Sequence, residues 1–168
     1  MLARRAAGDD LAAFAALVCA HEAALRRYLA RLAGDEGDDL AQETLLAAWR
    51  AIGQWRGEGR FAGWLRRIAT RRFLDRQRRG GNTVPRSWAS LDGAEATAAP
   101  GSPHLALEIE AALGRLPPRE RAAALLVFAE GHSHAEAAEA LGVPLGTLKS
   151  VVARARAALI PLLEGDAP

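Results

Sequence analysis

Residues 134–156 read HAEAAEALGVPLGTLKSVVARAR. Gly142 stands between two stretches of helical period, and a glycine just past a helix end suits a left-handed turn. Ala138 falls four residues earlier, where only a small side chain lets two helices cross closely. Ala137, Leu141, Val143, Leu148 and Val151 fall on the inward positions of the hairpin this spacing predicts. The pattern is that of a helix-turn-helix. Its second helix, from Leu145, is expected to lead into a DNA major groove with Leu145, Gly146, Thr147, Lys149 and Ser150. Arg154 and Arg156 follow where phosphates are met. A helical hairpin of the same spacing with no DNA role is the competing reading.

Working outward, residues 80–103 read as a linker, with Gly80-Gly81, Pro85, Pro100-Gly101 and Pro103 among small residues and no sustained period. They separate an N-terminal unit from a C-terminal one. The C-terminal unit predicts helices over Leu105–Leu113, Pro118–Ala129, His134–Leu141 and Leu145–Leu162. The N-terminal unit predicts helices over about Asp9–Ala33, Asp38–Ile52 and Phe61–Arg79, the first ended by Gly34. No strand alternation occurs. The expected fold is all-α, with two small helical domains joined by a flexible linker. The composition agrees: half of the 168 residues are hydrophobic and only 5% aromatic, which suits helices better than sheets.

The formal net charge is only +2, but the charges are segregated. Residues 34–43 carry Asp35, Glu36, Asp38, Asp39 and Glu43 with no base. Residues 60–79 carry Arg60, Arg66, Arg67, Arg71, Arg72, Arg76, Arg78 and Arg79 against Asp75 alone. Such a helix is either a solvated face or a polyanion site. On the second helix, Ala41, Leu45, Ala48 and Ile52 form a core stripe at 100° per residue. Asp39, Gln42, Glu43, Leu46 and Arg50 lie nearly opposite. Leu46 is then either a stray surface leucine or the apolar centre of a protein-docking face.

Trp49, Trp55, Phe61 and Trp64 flank the arginine-bearing, glycine-containing loop 54–60. Aromatics with cations suit single-stranded DNA, where bases stack and phosphates pair. Trp49 and Trp64 are expected in the core, and Trp55 is the stacking candidate. Catalytic signals are weak. Cys19 and His21 point in different directions on a helix, and His132 and His134 sit at a turn without a cysteine. No metal or cofactor is expected. The single cysteine excludes a disulfide framework. The apolar run Leu11–Ala20 abuts Asp9 and Asp10, which argues against a signal peptide. No run reaches the length of a membrane span, so no membrane insertion is expected and a cytoplasmic location is.

The chain resembles a bacterial RNA polymerase sigma factor of the extracytoplasmic-function (ECF) group, in the sigma-seventy superfamily. The matching residues are Asp39-Leu40-Ala41-Gln42-Glu43-Thr44, Ala48-Trp49-Arg50, Phe61, Trp64-Leu65, Ile68-Ala69, Leu74-Asp75 and Arg78-Arg79. In the C-terminal half they are Leu116-Pro117-Pro118-Arg119-Glu120-Arg121, Glu130-Gly131-His132-Ser133, Leu141-Gly142-Val143-Pro144, Gly146-Thr147-Leu148-Lys149-Ser150 and Arg154-Ala155-Arg156.

The resemblance implies three units: residues 1–79 as region two, 80–103 as linker and 104–168 as region four. It implies a non-enzymatic factor that brings core RNA polymerase to promoters. Asp39, Gln42, Glu43 and Leu46 would dock on the β′ clamp helices. Trp55, Arg56, Arg60, Arg66, Arg67, Arg71 and Arg72 would open and hold the −10 element. The helix-turn-helix would read the −35 element while its domain touches the β flap. An anti-sigma factor is the further partner implied. Three departures stand: Val151-Val152 where the family usually has an arginine, Leu45 in place of an aromatic, and Thr70-Arg71-Arg72 where an asparagine is common. A conventional helix-turn-helix regulator working without polymerase is the alternative. An all-helical enzyme or scaffold that touches no DNA is a third.

Overall fold

A computed structural model describes residues 10–55, 60–80 and 103–164, and every regular element among them is helical. Helix α1 runs over Leu11–Ala33. Asp10 caps it by accepting from the Ala13 N–H at 2.9 Å, so an acid that argued against a signal peptide serves as an N-cap. Gly34, at φ 60°, closes it with its N–H on the Ala30 carbonyl. A 3-10 turn, Gly34–Glu36, leads into α2, Gly37–Ala51. A Cβ at Gly37 would lie 2.9 Å from the Ala30 backbone, so α1 and α2 approach too closely there for any other residue.

The inner side of α2 is broader than the expected stripe. Ala41, Ala48 and the following Ile52 are buried as expected, but Leu40 and Thr44 are buried too and Leu45 only half-buried. The cause is that α2 packs against both α1 and α3, the latter spanning Phe61–Gly80. Tyr28 of α1 and Thr70 of α3 join at the centre, hydroxyl to hydroxyl, at 2.7 Å. Thr70 Oγ1 also donates to the Arg66 carbonyl, so its one proton is committed and the Tyr28 hydroxyl donates to Thr70.

Helix α4 spans Pro103–Arg115, and α5 spans Pro118–Ala124 with Pro118 in its first turn. The expected continuation to Ala129 is a π-helical turn, Leu125–Ala129, with the Glu130 N–H on the Leu125 carbonyl. The widened turn lets Leu125 and Leu126, neighbours in sequence, both face inward. Helix α6, His134–Leu141, begins with a reciprocal capping box between Ser133 and Glu136. Helix α7 runs over Leu145–Glu164.

The two helical regions pack on each other through one continuous core. Arg121 of α5 crosses the seam. Its guanidinium is buried and donates to the Leu113, Gly114 and Leu116 carbonyls at 2.8–3.1 Å. It also donates to the Leu32 carbonyl of α1 at 3.0 Å. Burial pushes its pKa down to about 10, which leaves it charged at neutral pH.

Candidate nucleic-acid and partner interfaces

The turn between α6 and α7 has the geometry expected of it. Gly142 is left-handed, at φ 66° and ψ 39°. Its N–H reaches the Glu139 carbonyl at 3.2 Å, and the Val143 N–H reaches Ala138 at 3.0 Å. This paired closure satisfies the last carbonyls of α6. Ala137, Ala138, Leu141, Leu148 and Val151 are buried, and Val143 is half-buried. The leading face of α7 is open: Leu145, Gly146, Thr147, Lys149 and Ser150 are all exposed. Arg156 is exposed as well, while Arg154 pairs with Glu120 of α5 at 2.9 Å. Val151 and Val152 are both buried. The arginine common in the family at this step is thus replaced by packing.

The outer side of α2 is also open. Asp39, Gln42, Glu43, Leu46 and Arg50 are exposed, with Leu46 at 51%. Glu43 sits where the acidic and basic segments meet. It accepts from Arg76 at 2.7 Å and lies 3.7 Å from Arg72, and Arg76 also reaches Glu36. The two charge patches, separate in sequence, therefore adjoin along α2 and α3.

The arginines of α3 and the loop before it divide into groups. Arg60, just before α3, is exposed. Arg72 faces Glu43, as above. Arg66 pairs with Glu130 at 2.5 Å, Arg67 with the Glu139 carboxylate, and Arg71 donates to the Glu139 carbonyl at 3.0 Å. Arg56 lies outside the described residues. Trp55, expected as a stacking residue, is half-buried edge-on against Phe61 at 6.0 Å, so part of its ring is already in use. Trp49 packs on Phe14, and Trp64 on Phe61. His21 packs on Phe61, Cys19 is exposed and His134 is exposed. His132 is half-buried opposite Gly63 of α3. No metal-binding group of three or more His, Cys, Asp or Glu occurs among the described residues.

Two family models match this chain: "Sigma-70 region 2" over residues 17–83 and "Sigma-70, region 4" over residues 106–159. The first holds most of α1 with α2 and α3; the second holds the helix-turn-helix. The ECF RNA polymerase sigma factor SigM of Mycobacterium tuberculosis is 39% identical, covering 97% of this chain and 83% of its own.

The chain belongs to the ECF group of sigma-70 factors.

This sigma factor directs promoter recognition by RNA polymerase and is not itself an enzyme. Its fold is shared with CnrH, a sigma factor of Cupriavidus metallidurans solved with the cytosolic domain of CnrY. That match has a TM-score of 0.70 at 28% identity and covers 99% of this chain and 97% of the other. RpoE of Bartonella quintana, solved with the anti-sigma factor NepR, gives 0.71 at 32% identity, covering 92% and 98%. No helix of the sigma factor among the described residues is long and apolar enough to cross a membrane.

Reasoning from sequence missed several residues that position these surfaces. The capping box of α6 was written as Ser133-His134-Ala135-Glu136, a serine followed three residues later by an acid. Bonds from the Ser133 hydroxyl and N–H hold the Glu136 carboxyl below its ordinary range. Arg121 lay within the quoted motif, but nothing local marks it as buried. Glu130 lay within a quoted motif and Glu139 did not, but nothing local marks either as an arginine partner, since those partners lie more than sixty residues away.

Proposed function

We propose that the sigma factor divides its work among three surfaces. Asp39, Gln42, Glu43 and Leu46 dock on the β′ clamp helices of core polymerase. Trp55, Arg56, Arg60, Arg66, Arg67, Arg71 and Arg72 open and hold the −10 element, with a non-template base flipped out of the stack. Leu145, Gly146, Thr147, Lys149, Ser150, Arg154 and Arg156 read the −35 element from the major groove, while the C-terminal domain meets the β flap. Residues 1–79 and 104–168 serve as the two domains and 80–103 as linker. The protein acts in the cytoplasm and is held in check by an anti-sigma factor, as the RpoE relative is bound in its solved complex.

The observation that carries this reading is the outer side of α2. A leucine left half in water, among the four polar side chains of Asp39, Gln42, Glu43 and Arg50 on a helix otherwise well packed, has the form of an interface centre. The test is binding to purified core polymerase. The wild type binds at low micromolar concentration or tighter. Changing Glu43 and Leu46 together abolishes binding, and Leu46→Ala alone weakens it about tenfold. DNA binding by the helix-turn-helix stays intact. Because Glu43 also pairs with Arg76, the single leucine change separates docking from that ion pair. Core binding unchanged in both variants would overturn the assignment.

A further inference from the structure

Between α3 on one side and α5, α6 and α7 on the other lies a cleft of about 570 Å³. It shares only Arg71 and Arg154 with the surfaces proposed above. Its volume falls within the range of small-ligand sites. The lining has two parts. Leu74 and Leu141 are buried and, with Pro118, form an apolar floor. Arg71, Arg78, Arg119 and Arg154 are exposed and border the cleft from three helices.

These cations are only partly engaged. The two acids of the lining are already paired, Asp75 with Arg78 and Glu120 with Arg154. Arg71 donates to the Glu139 carbonyl. Each of these hydrogen bonds uses one nitrogen of its guanidinium, and a guanidinium carries five N–H donors. Arg119 makes no hydrogen bond or ion pair among the described residues. Four arginines against two acids leave the cleft cationic, and apolar walls focus such a field on an anion. Guanidinium groups match phosphate oxygens with paired N–H bonds. Arginines arriving from three helices call for anionic oxygens spread along one ligand. The apolar floor calls for a flat, weakly polar body, and guanidinium planes stack on aromatic rings. A nucleobase carrying a polyphosphate chain supplies both. We propose that this cleft binds a nucleoside polyphosphate, with the arginines on its phosphates and Leu74 and Leu141 beneath its base. The site does not depend on the docking and DNA surfaces assigned above.

The test is calorimetric titration of the full chain with ATP and with GTP, at about 0.15 M salt and without divalent metal. Inorganic tripolyphosphate and adenosine probe the two halves of the ligand separately. Arg78→Gln with Arg119→Gln removes two cations of the cleft. Arg119→Gln alone removes a cation without releasing an acid, because Arg119 has no paired carboxylate. Arg79→Gln with Arg115→Gln removes two exposed cations outside the cleft and is the control of equal charge.

At least one nucleotide is expected to bind with a Kd below about 100 μM. Tripolyphosphate binds about tenfold more weakly or worse, and adenosine more weakly still. Arg119→Gln alone weakens nucleotide binding about fivefold and the cleft pair about tenfold or more, with the control within about twofold of wild type. No binding of either nucleotide by about 1 mM overturns the site. A nucleotide that binds no tighter than tripolyphosphate, or no tighter than adenosine, has no use for one half of the lining and also overturns it. A loss in the control equal to that of the cleft pair assigns binding to net charge and overturns it as well.

Discussion

The bond between Tyr28 and Thr70 predicts an ordering of stabilities and a pH dependence. Tyr28 is the sole tyrosine and is 1% exposed. Burial raises its pKa above the ordinary value near 10. A folded pKa above the unfolded one means that the fold favours the protonated phenol. Its contribution is therefore complete below pH 10 and is lost as pH rises. The loss from Tyr28 is about 1.4 kcal/mol for each pH unit above about 10, or roughly 2 kcal/mol by about pH 11.5. Arg121, whose pKa burial lowers to about 10, titrates over the same range with the opposite sign, so the Tyr28 loss is read as the pH-dependent difference between wild type and Tyr28→Phe. At neutral pH Tyr28→Phe removes one hydrogen bond and leaves Thr70 donating to Arg66, so it costs about 1 kcal/mol. Thr70→Val instead strands a buried phenol hydroxyl and costs more, about 2 kcal/mol. Urea unfolding followed by tryptophan fluorescence, over a series of pH values, measures all of these. A difference between wild type and Tyr28→Phe that stays constant as pH rises above about 10, or a milder loss in Thr70→Val than in Tyr28→Phe, would refute the reasoning.

Two glycines are expected to fail in different ways. Gly142→Ala meets no neighbouring atom but must adopt a left-handed backbone, costing about 1–2 kcal/mol, and Gly142→Asn recovers part of it in the same urea titration. Gly37→Ala has an ordinary backbone but collides with Ala30, so it forces α1 and α2 apart at about 1–3 kcal/mol, and asparagine there is worse rather than better. In the helix-turn-helix, Lys149→Ala with Arg154→Ala lowers the slope of log affinity against log salt by about two on duplex promoter DNA, with core polymerase binding unchanged.

The parts of the fold readable from sequence were those fixed by local rules. Gly142 and Ala138 set the helix-turn-helix by spacing alone, and Gly34 ends α1 where expected. Leu46 stood out because a helix has two sides and the other was filled. What escaped reading depends on distant neighbours. Leu45 and Thr44 exchange roles because α1 and α3 both press on α2, which a one-helix projection cannot show. The π-helical turn at Leu125 answers to two adjacent leucines that both require burial. Gly37 drew no reading among the acids around it, although its missing Cβ sets the α1–α2 approach. The +2 net charge, uninformative as a sum, first resolved into an acidic segment and an arginine helix. In three dimensions these meet at Glu43, and the arginines beyond it face acids of the other unit. That juxtaposition could not come from a pattern along the chain.

Transcription from purified parts gives the decisive measurement. Transcript starts mapped after forced expression supply a promoter, which is then offered to core RNA polymerase with and without this protein. The expected result is accurate initiation at that promoter only when the protein is present, lost when Glu43 and Leu46 are changed. Initiation that is indifferent to the protein, or that survives the loss of those two side chains, would contradict the division of surfaces described above.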